Sequence, residues 1–167
     1  FYYIPDREKD GYGASKKLFK KLILKKPHLI IMVDCGSTSN DAISFLNDKN
    51  IKSIIIDHHE INRPYPKSDV IINPKKNDGY GEYDYLCTTT LTYFLLDIVN
   101  KKNKFKYELS NLLIYVLLAS ICDVMPMRKL NRIIAINTLK KFNIKKNICF
   151  DILFKLSNKK DKLTIDD

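Results

Sequence analysis

Apolar residues in this chain fall in short continuous runs, separated by stretches of helical length in which lysines interrupt leucines and isoleucines. Leu29-Ile30-Ile31-Met32-Val33 is one run, and Ile51 to Ile56 holds another, ending Ile54-Ile55-Ile56. Runs of that length without alternation predict strands of a parallel sheet covered on both faces. Between them, Ser37-Thr38-Ser39-Asn40 supplies N-cap side chains for a helix to about Asp48. Strand, helix, strand in that order predicts a right-handed parallel crossover. Upstream, Ala14 to Lys25 places Leu18, Leu22 and Leu24 among lysines, a helical pattern. Downstream, Val70-Ile71-Ile72 predicts a third strand closed by Asn73-Pro74, and Lys75 to Tyr85 a polar loop. Helices are expected over Thr88 to Val99, Glu108 to Cys122, Asn131 to Phe142 and Cys149 to Leu156. A lysine-rich connection, Asn100 to Lys106, and a frayed charged tail, Lys159 to Asp167, complete the pattern. The expected class is therefore α/β: a parallel-sheet core with helices on both faces, then a helical segment.

The ends of the apolar runs carry the chemistry. Asp34 ends the first, Asp57-His58-His59-Glu60 ends the second, and Asp123 follows Ala119-Ser120-Ile121-Cys122. In parallel sheets the C-terminal strand ends line one edge, where ligands bind. Carboxylates with imidazole suit Mn²⁺, and also Zn²⁺ or Fe²⁺; all-oxygen sites suit Mg²⁺ or Ca²⁺ better. Each residue has a structural alternative. Asp34 serves equally well as a cap of the following helix, and His58 and His59 as hydrogen-bonded loop histidines. Asp123 sits where a helix C-terminus already carries partial negative charge, which argues for a cation nearby. Taken together Asp34, Asp57, His58, His59 and Asp123 favour a metal site.

Composition bounds the rest. At 167 residues the chain is one domain or most of one. Its apolar runs fall far short of the roughly 20 residues of a membrane helix, and Phe1-Tyr2-Tyr3-Ile4-Pro5 is not a secretory leader. A cytoplasmic location is expected. The chain does not begin with Met, so a processed, trimmed or fragmentary sequence is expected. The net charge of +10 suits a polyanionic partner, although lysine faces are also ordinary solvated surface. Cys35, Cys87, Cys122 and Cys149 have no metal-binding spacing and are expected to be buried thiols in a reducing compartment.

Val33-Asp34-Cys35-Gly36-Ser37, Asp57-His58-His59 and Cys122-Asp123-Val124-Met125-Pro126 resemble successive motifs of the DHH phosphoesterase superfamily. Tyr3-Ile4-Pro5-Asp6-Arg7 with Gly11-Tyr12-Gly13, Ile71-Ile72-Asn73-Pro74, Leu86-Cys87 and Asn131-Arg132 narrow the resemblance to RecJ-like single-stranded-DNA-specific 5′→3′ exonucleases of DNA repair and recombination. The resemblance runs from about Tyr2 to Leu139. It implies two Mn²⁺ ions, with Mg²⁺ as the alternative, and single-stranded DNA as substrate. Asp34 would bridge the ions, with His58 and Asp123 completing the shell of one. Asp57 would hold the site, His59 would orient the substrate phosphate or attacking water, and Arg132 would contact phosphate.

The pattern also departs from the family. The Asp-x-Asp of the first family motif, on a strand upstream of the Tyr-Ile-Pro segment, has no counterpart here; nor do the downstream DHHA1 domain and the OB-fold. Thr88-Thr89-Thr90 stands where small, glycine-containing residues are usual, and β-branched side chains there would crowd the site. The expected division is a partial DHH domain over residues 1–125 and a helical extension with charged tail over 126–167. The expected function is a RecJ-like exonuclease core with little activity alone, completed by a separately encoded N-terminal segment carrying the first motif. Two alternatives stand beside it. One is another DHH phosphoesterase, acting on oligonucleotides, cyclic dinucleotides or pyrophosphate. The other is a non-catalytic remnant or assembly subunit that binds nucleic acid.

Overall fold

The computed structural model describes residues 1–76, 81–158 and 163–164. Three parallel strands, β1 (Leu29–Val33), β2 (Lys52–Ile56) and β3 (Val70–Ile72), form a sheet in the order β1-β2-β3. The register pairs Val33 with Ile56 and Ile56 with Ile72, so all three strands end level. That levelling follows from the crossovers. Helix α2 (Asn40–Asn47) carries the chain back beside the sheet after β1, and β2 begins opposite the start of β1.

Helix α1 (Lys16–Leu22) is capped by Ser15, whose hydroxyl accepts from the Leu18 N–H at 3.1 Å, and continues as a 3₁₀ turn to Lys25. Leu18, Phe19 and Leu22 of α1, and Ala42, Ile43, Phe45 and Leu46 of α2, bury against Met32 and Ile55. This is the core that fixes the sheet, and each such fully buried side chain stabilises by roughly 1.5–3 kcal/mol. Helix α3 (Thr88–Lys102) lies against β2, which is thus flanked by helices. Helices α4 (Leu113–Cys122), α5 (Lys129–Lys141) and α6 (Ile148–Leu156) follow, with α4 packed on α3 and α5.

Several details differ from the sequence pattern. The run Leu29–Val33 is continuously apolar, yet its burial alternates: Met32 is buried, whereas Leu29, Ile31 and Val33 stay exposed. The cause is position, because β1 is an edge strand with one face covered. Helix α3 runs through Lys102, three residues beyond the pattern, helped by Lys101 pairing with Asp97 one turn back at 2.6 Å. The helix expected from Glu108 starts as a 3₁₀ turn at Ser110 and becomes α-helical at Leu113. Cys87 is buried and Cys35 half-buried, but Cys122 and Cys149 are exposed; Cys122 is the last residue of α4, where the helix face turns outward. In the expected loop after Lys75, Gly81–Tyr83 is a 3₁₀ turn, and residues 77–80 lie outside the described residues. Most of the tail from Lys159 also lies outside them. Among the described residues, no helix is long and apolar enough to cross a membrane.

Candidate metal centre

The site grows from the level strand ends. Asp34 extends β1 by one ladder bond, donating its N–H to the Ile56 carbonyl at 2.9 Å. Asp57 does the same from β2, donating to the Ile72 carbonyl at 3.0 Å. Immediately after its ladder bond, Asp34 turns into left-handed backbone at φ 64°, a conformation Asp tolerates better than most residues. Gly36 follows at φ 116°, where a Cβ would meet Ile55 Cγ1 at 3.1 Å and Met32 Sδ at 3.3 Å. Only glycine fits this turn. The turn aims the Asp34 carboxylate over the sheet edge and swings the Ser37 N–H back to Asp57.

Asp57 is buried, at 1% exposure. Its Oδ2 accepts from the Ser37 N–H at 3.0 Å, and its Oδ1 accepts from the His58 N–H at 2.9 Å and the His59 N–H at 3.3 Å. The same Oδ1 lies 2.7 Å from His59 Nδ1. Burial pushes this carboxyl's pKa up, but the hydrogen bonds from Ser37 and His59 outweigh it and the net shift is downward. Asp57 therefore stays ionised and anchors the loop. With Asp57 as acceptor, His59 Nδ1 carries the proton and its Nε2 presents a lone pair outward.

His58 is buried, and its Nε2 lies 3.5 Å from Asp34 Oδ1 and 4.0 Å from Asp123 Oδ2. Asp123 reaches this point from the C-cap of α4, its N–H donating to the Ala119 carbonyl at 2.9 Å. The structure thus brings Asp34, His58 and Asp123 together from β1, β2 and α4. Asp34, His58 and His59 also present ligand atoms within 4.8 Å of one another. Atoms bound about 2.1 Å from a shared ion sit roughly 3 to 4.2 Å apart, and the two distances from His58 Nε2, 3.5 and 4.0 Å, fall in that range. Two carboxylates beside one imidazole favour positive charge between them. His58 Nδ1 is buried with no hydrogen-bond partner, so Nε2 is the ring's functional face. Cys35, next to Asp34, does not compete as a thiolate: burial, then the charges of Asp57 and Asp34, push its pKa up to about 11.

One residue to which the sequence patterns assigned no role holds this loop. Asn73, one residue past β3, donates through Nδ2 to Ser37 Oγ at 2.8 Å and to the His59 carbonyl at 2.9 Å. Its Oδ1 accepts from the Lys75 N–H at 2.8 Å. Its sequence signals were its place at a strand's C-terminal end and its membership of the resembling segment Ile71-Ile72-Asn73-Pro74. Arg132 is exposed on α5 and makes no side-chain hydrogen bond or ion pair with the centre among the described residues. Its neighbour Asn131 is buried and donates to the Tyr85 carbonyl at 2.7 Å, joining α5 to the loop before α3.

Fold and site together define an α/β domain with acid and imidazole side chains gathered at level parallel strand ends. The model of the DHH family, N-terminal domain, matches residues 1–121, and the chain belongs to that family. The single-stranded-DNA-specific exonuclease RecJ of Haemophilus influenzae is 31% identical over 148 residues, 84% of this chain and 26% of that protein. RecJ of Bacillus subtilis is 28% identical over 156 residues, 93% of this chain and 19% of its own length. The chain spans about a quarter of the length of the relatives it matches. A crystal structure of exonuclease RecJ bound to manganese superposes with a TM-score of 0.78 at 21% identity, covering 92% of this chain and 39% of that one. The Mn²⁺ complex of RecJ from Thermus thermophilus gives a TM-score of 0.71 at 18% identity, over 87% of this chain and 22% of that one.

Proposed function

We propose that this chain is the metal-binding core of a RecJ-like exonuclease that hydrolyses phosphodiester bonds of single-stranded DNA from the 5′ end. The observation that carries the proposal is the convergence of Asp34, His58 and Asp123 from three separate elements, with ligand atoms 3.5 and 4.0 Å apart. In this reading the three would hold Mn²⁺, which would supply an activated water and neutralise charge on a phosphoryl oxygen. Asp57 anchors the His59 imidazole, and the outward Nε2 of His59 accepts a proton from, or hydrogen-bonds to, the reacting group. Arg132 is assigned to a substrate phosphate.

A partner strand belongs to the same proposal. The ladder ends at Lys52 N–H to His28 C=O and Asp34 N–H to Ile56 C=O place the even-numbered residues of β1 on the β2 side. The N–H and C=O groups of Leu29, Ile31 and Val33 therefore point to an open edge, beside three exposed apolar side chains. This edge would accept a further strand bearing the carboxylates of a second ion, and residues 1–167 without that strand would have little activity. The division at residue 125 between DHH core and helical extension is part of the same assignment.

Calorimetric titration with MnCl₂ and a 5′-labelled oligonucleotide assay test it together. One ion is expected to bind per chain, lost on His58→Ala, with release of nucleotides only after the strand-bearing segment is added. Unchanged Mn²⁺ affinity in His58→Ala would sink the site assignment.

A further inference from the structure

Helix α4 ends in a turn that holds an unusual residue. Asp123 is the C-cap, and Val124 follows it in left-handed backbone at φ 54°. The Val124 N–H donates to the Ile121 carbonyl at 2.9 Å, and the Met125 N–H to the Ser120 carbonyl at 2.9 Å, the paired bonds of a left-handed helix stop. Glycine, or sometimes asparagine, normally fills that position, because a Cβ is strained there and branching at Cβ strains it further. Among the described residues, seven other than glycine have positive φ; six are Asp, Asn or Lys, unbranched at Cβ, and Val124 is the seventh.

Packing does not explain the valine, because Val124 is 86% exposed. Backbone bonds and a neighbouring side chain hold the turn instead. The Arg128 N–H donates to the Pro126 carbonyl at 2.9 Å. Asn131, buried on α5, donates through Nδ2 to that same carbonyl at 3.1 Å and to the Tyr85 carbonyl at 2.7 Å. Left-handed strain and an uncovered apolar group therefore fall on one residue, the one after Asp123. Consecutive Cα atoms lie about 3.8 Å apart, and Asp123 Oδ2 is 4.0 Å from His58 Nε2, so Val124 stands at the rim of the metal centre. Backbone strain of this kind collects at functional sites. An exposed isopropyl group gains free energy only when something covers it.

We infer that Val124 is a substrate-contact residue, whose isopropyl group packs on the apolar sugar-and-base face of the nucleotide held at the metal centre. The inference rests on the RecJ-like reading for the nucleotide and on the turn itself for the contact. Glycine would close α4 without strain but would leave that nucleotide face uncovered. Valine has no donor or acceptor with which to read a base edge, so the contact seats the nucleotide independently of sequence.

The test combines thermal melts, calorimetry with MnCl₂, and fluorescence anisotropy of a labelled 5′-phosphorylated oligo-dT, all on the full chain. Val124→Asn enters left-handed backbone more readily, so its melting midpoint is expected to rise by about 2–4 °C. Its Mn²⁺ affinity is expected to stay within about twofold of wild type, because Asp123 is retained. At saturating Mn²⁺ its affinity for oligo-dT is expected to fall about fivefold with the loss of the apolar contact. Val124→Ile keeps both the apolar surface and the strain, and should bind oligo-dT within about twofold of wild type. Val99→Asn removes another exposed valine, on α3, and should bind as wild type does. A merely structural valine would instead lower the melting midpoint when replaced and leave oligo-dT binding unmoved. Undiminished oligo-dT affinity in Val124→Asn, or an equal loss in Val99→Asn, would overturn the inference. So would a loss of Mn²⁺ affinity in Val124→Asn as large as its loss for oligo-dT, which would place the effect on Asp123. Wild type that binds no Mn²⁺ would overturn the underlying reading, and the inference with it.

Discussion

His59 Nδ1 and Asp57 Oδ1 lie 2.7 Å apart, and this contact converts two neighbouring loop residues into an oriented pair. The buried carboxylate fixes the tautomer of an exposed imidazole, so that Nε2 faces outward. The adjacent His58 turns its Nε2 toward Asp34 and Asp123. The two histidines stay close, their rings meeting edge to face at 4.6 Å and their ligand atoms lying within 4.8 Å of each other and of Asp34.

Replacing Asp57 with Asn is expected to cost about 2–4 kcal/mol at pH 7, the scale of a broken buried charge network. The pH dependence follows from the depressed carboxyl of Asp57. Its stabilisation is present above the unfolded-state value, about 3.9, and is lost as pH falls through the lower folded value. Urea titrations should therefore show the gap between wild type and Asp57→Asn narrowing below about pH 4. A gap that stays constant into acid would contradict an ionised Asp57.

Gly36→Ala should destabilise by about 2–4 kcal/mol, combining left-handed strain with overpacking against Ile55 and Met32. Gly11→Ala is the comparison: its φ of 78° carries the strain, but nothing lies within 4 Å of the added Cβ. Thermal melts that give the two variants the same loss would remove the packing argument.

Asn73→Ala deletes two donors that pin Ser37 and the His59 carbonyl. Partners of this kind typically tune metal affinity by 10–100-fold, so about tenfold weaker Mn²⁺ binding is expected by calorimetry, with His58 and Asp34 untouched. Unaltered affinity would mean that the loop keeps its shape without Asn73.

On β1, neighbours should respond oppositely. Ile31→Lys, on the open face, is expected to change stability by no more than about 0.5 kcal/mol. Met32→Ala, on the covered face, should cost about 2–5 kcal/mol. Ile31→Lys should also block any strand-bearing partner, read as loss of co-elution in size-exclusion chromatography. A large stability loss in Ile31→Lys alone would show that this face is already covered.

Asp10 ties the N-terminal segment to α1 through Lys21 and through the Tyr3 hydroxyl at 2.6 Å. The hydrogen bonds from Lys21 and then Tyr3 lower its pKa to about 2. Its contribution is therefore complete above the ordinary carboxylate value and lost only as pH falls toward about 2. Asp10→Asn is expected to expose residues 1–13 to limited proteolysis at neutral pH. Cleavage indistinguishable from wild type would refute the tether.

The sequence by itself determined the elements and most of the candidate centre. Apolar runs of strand length, the first two ended by an acid and the third by Asn73-Pro74, mark where the parallel sheet stops, because a charged side chain is costly to continue into a buried strand. That is why Asp34 and Asp57 could be placed on one edge before any coordinates, and why Asp123 stood out at a helix end that disfavours it. Tertiary structure decided what no local pattern encodes. Whether a continuously apolar strand is covered on one face or two depends on its place in the sheet, so Leu29, Ile31 and Val33 are open where the run alone implied burial. Asn73 and Ser37 lie 36 residues apart and meet only because β3 and β1 end level beside β2. The approach of Asp123 to His58 likewise depends on how α4 packs, a long-range contact that spacing along the chain does not specify.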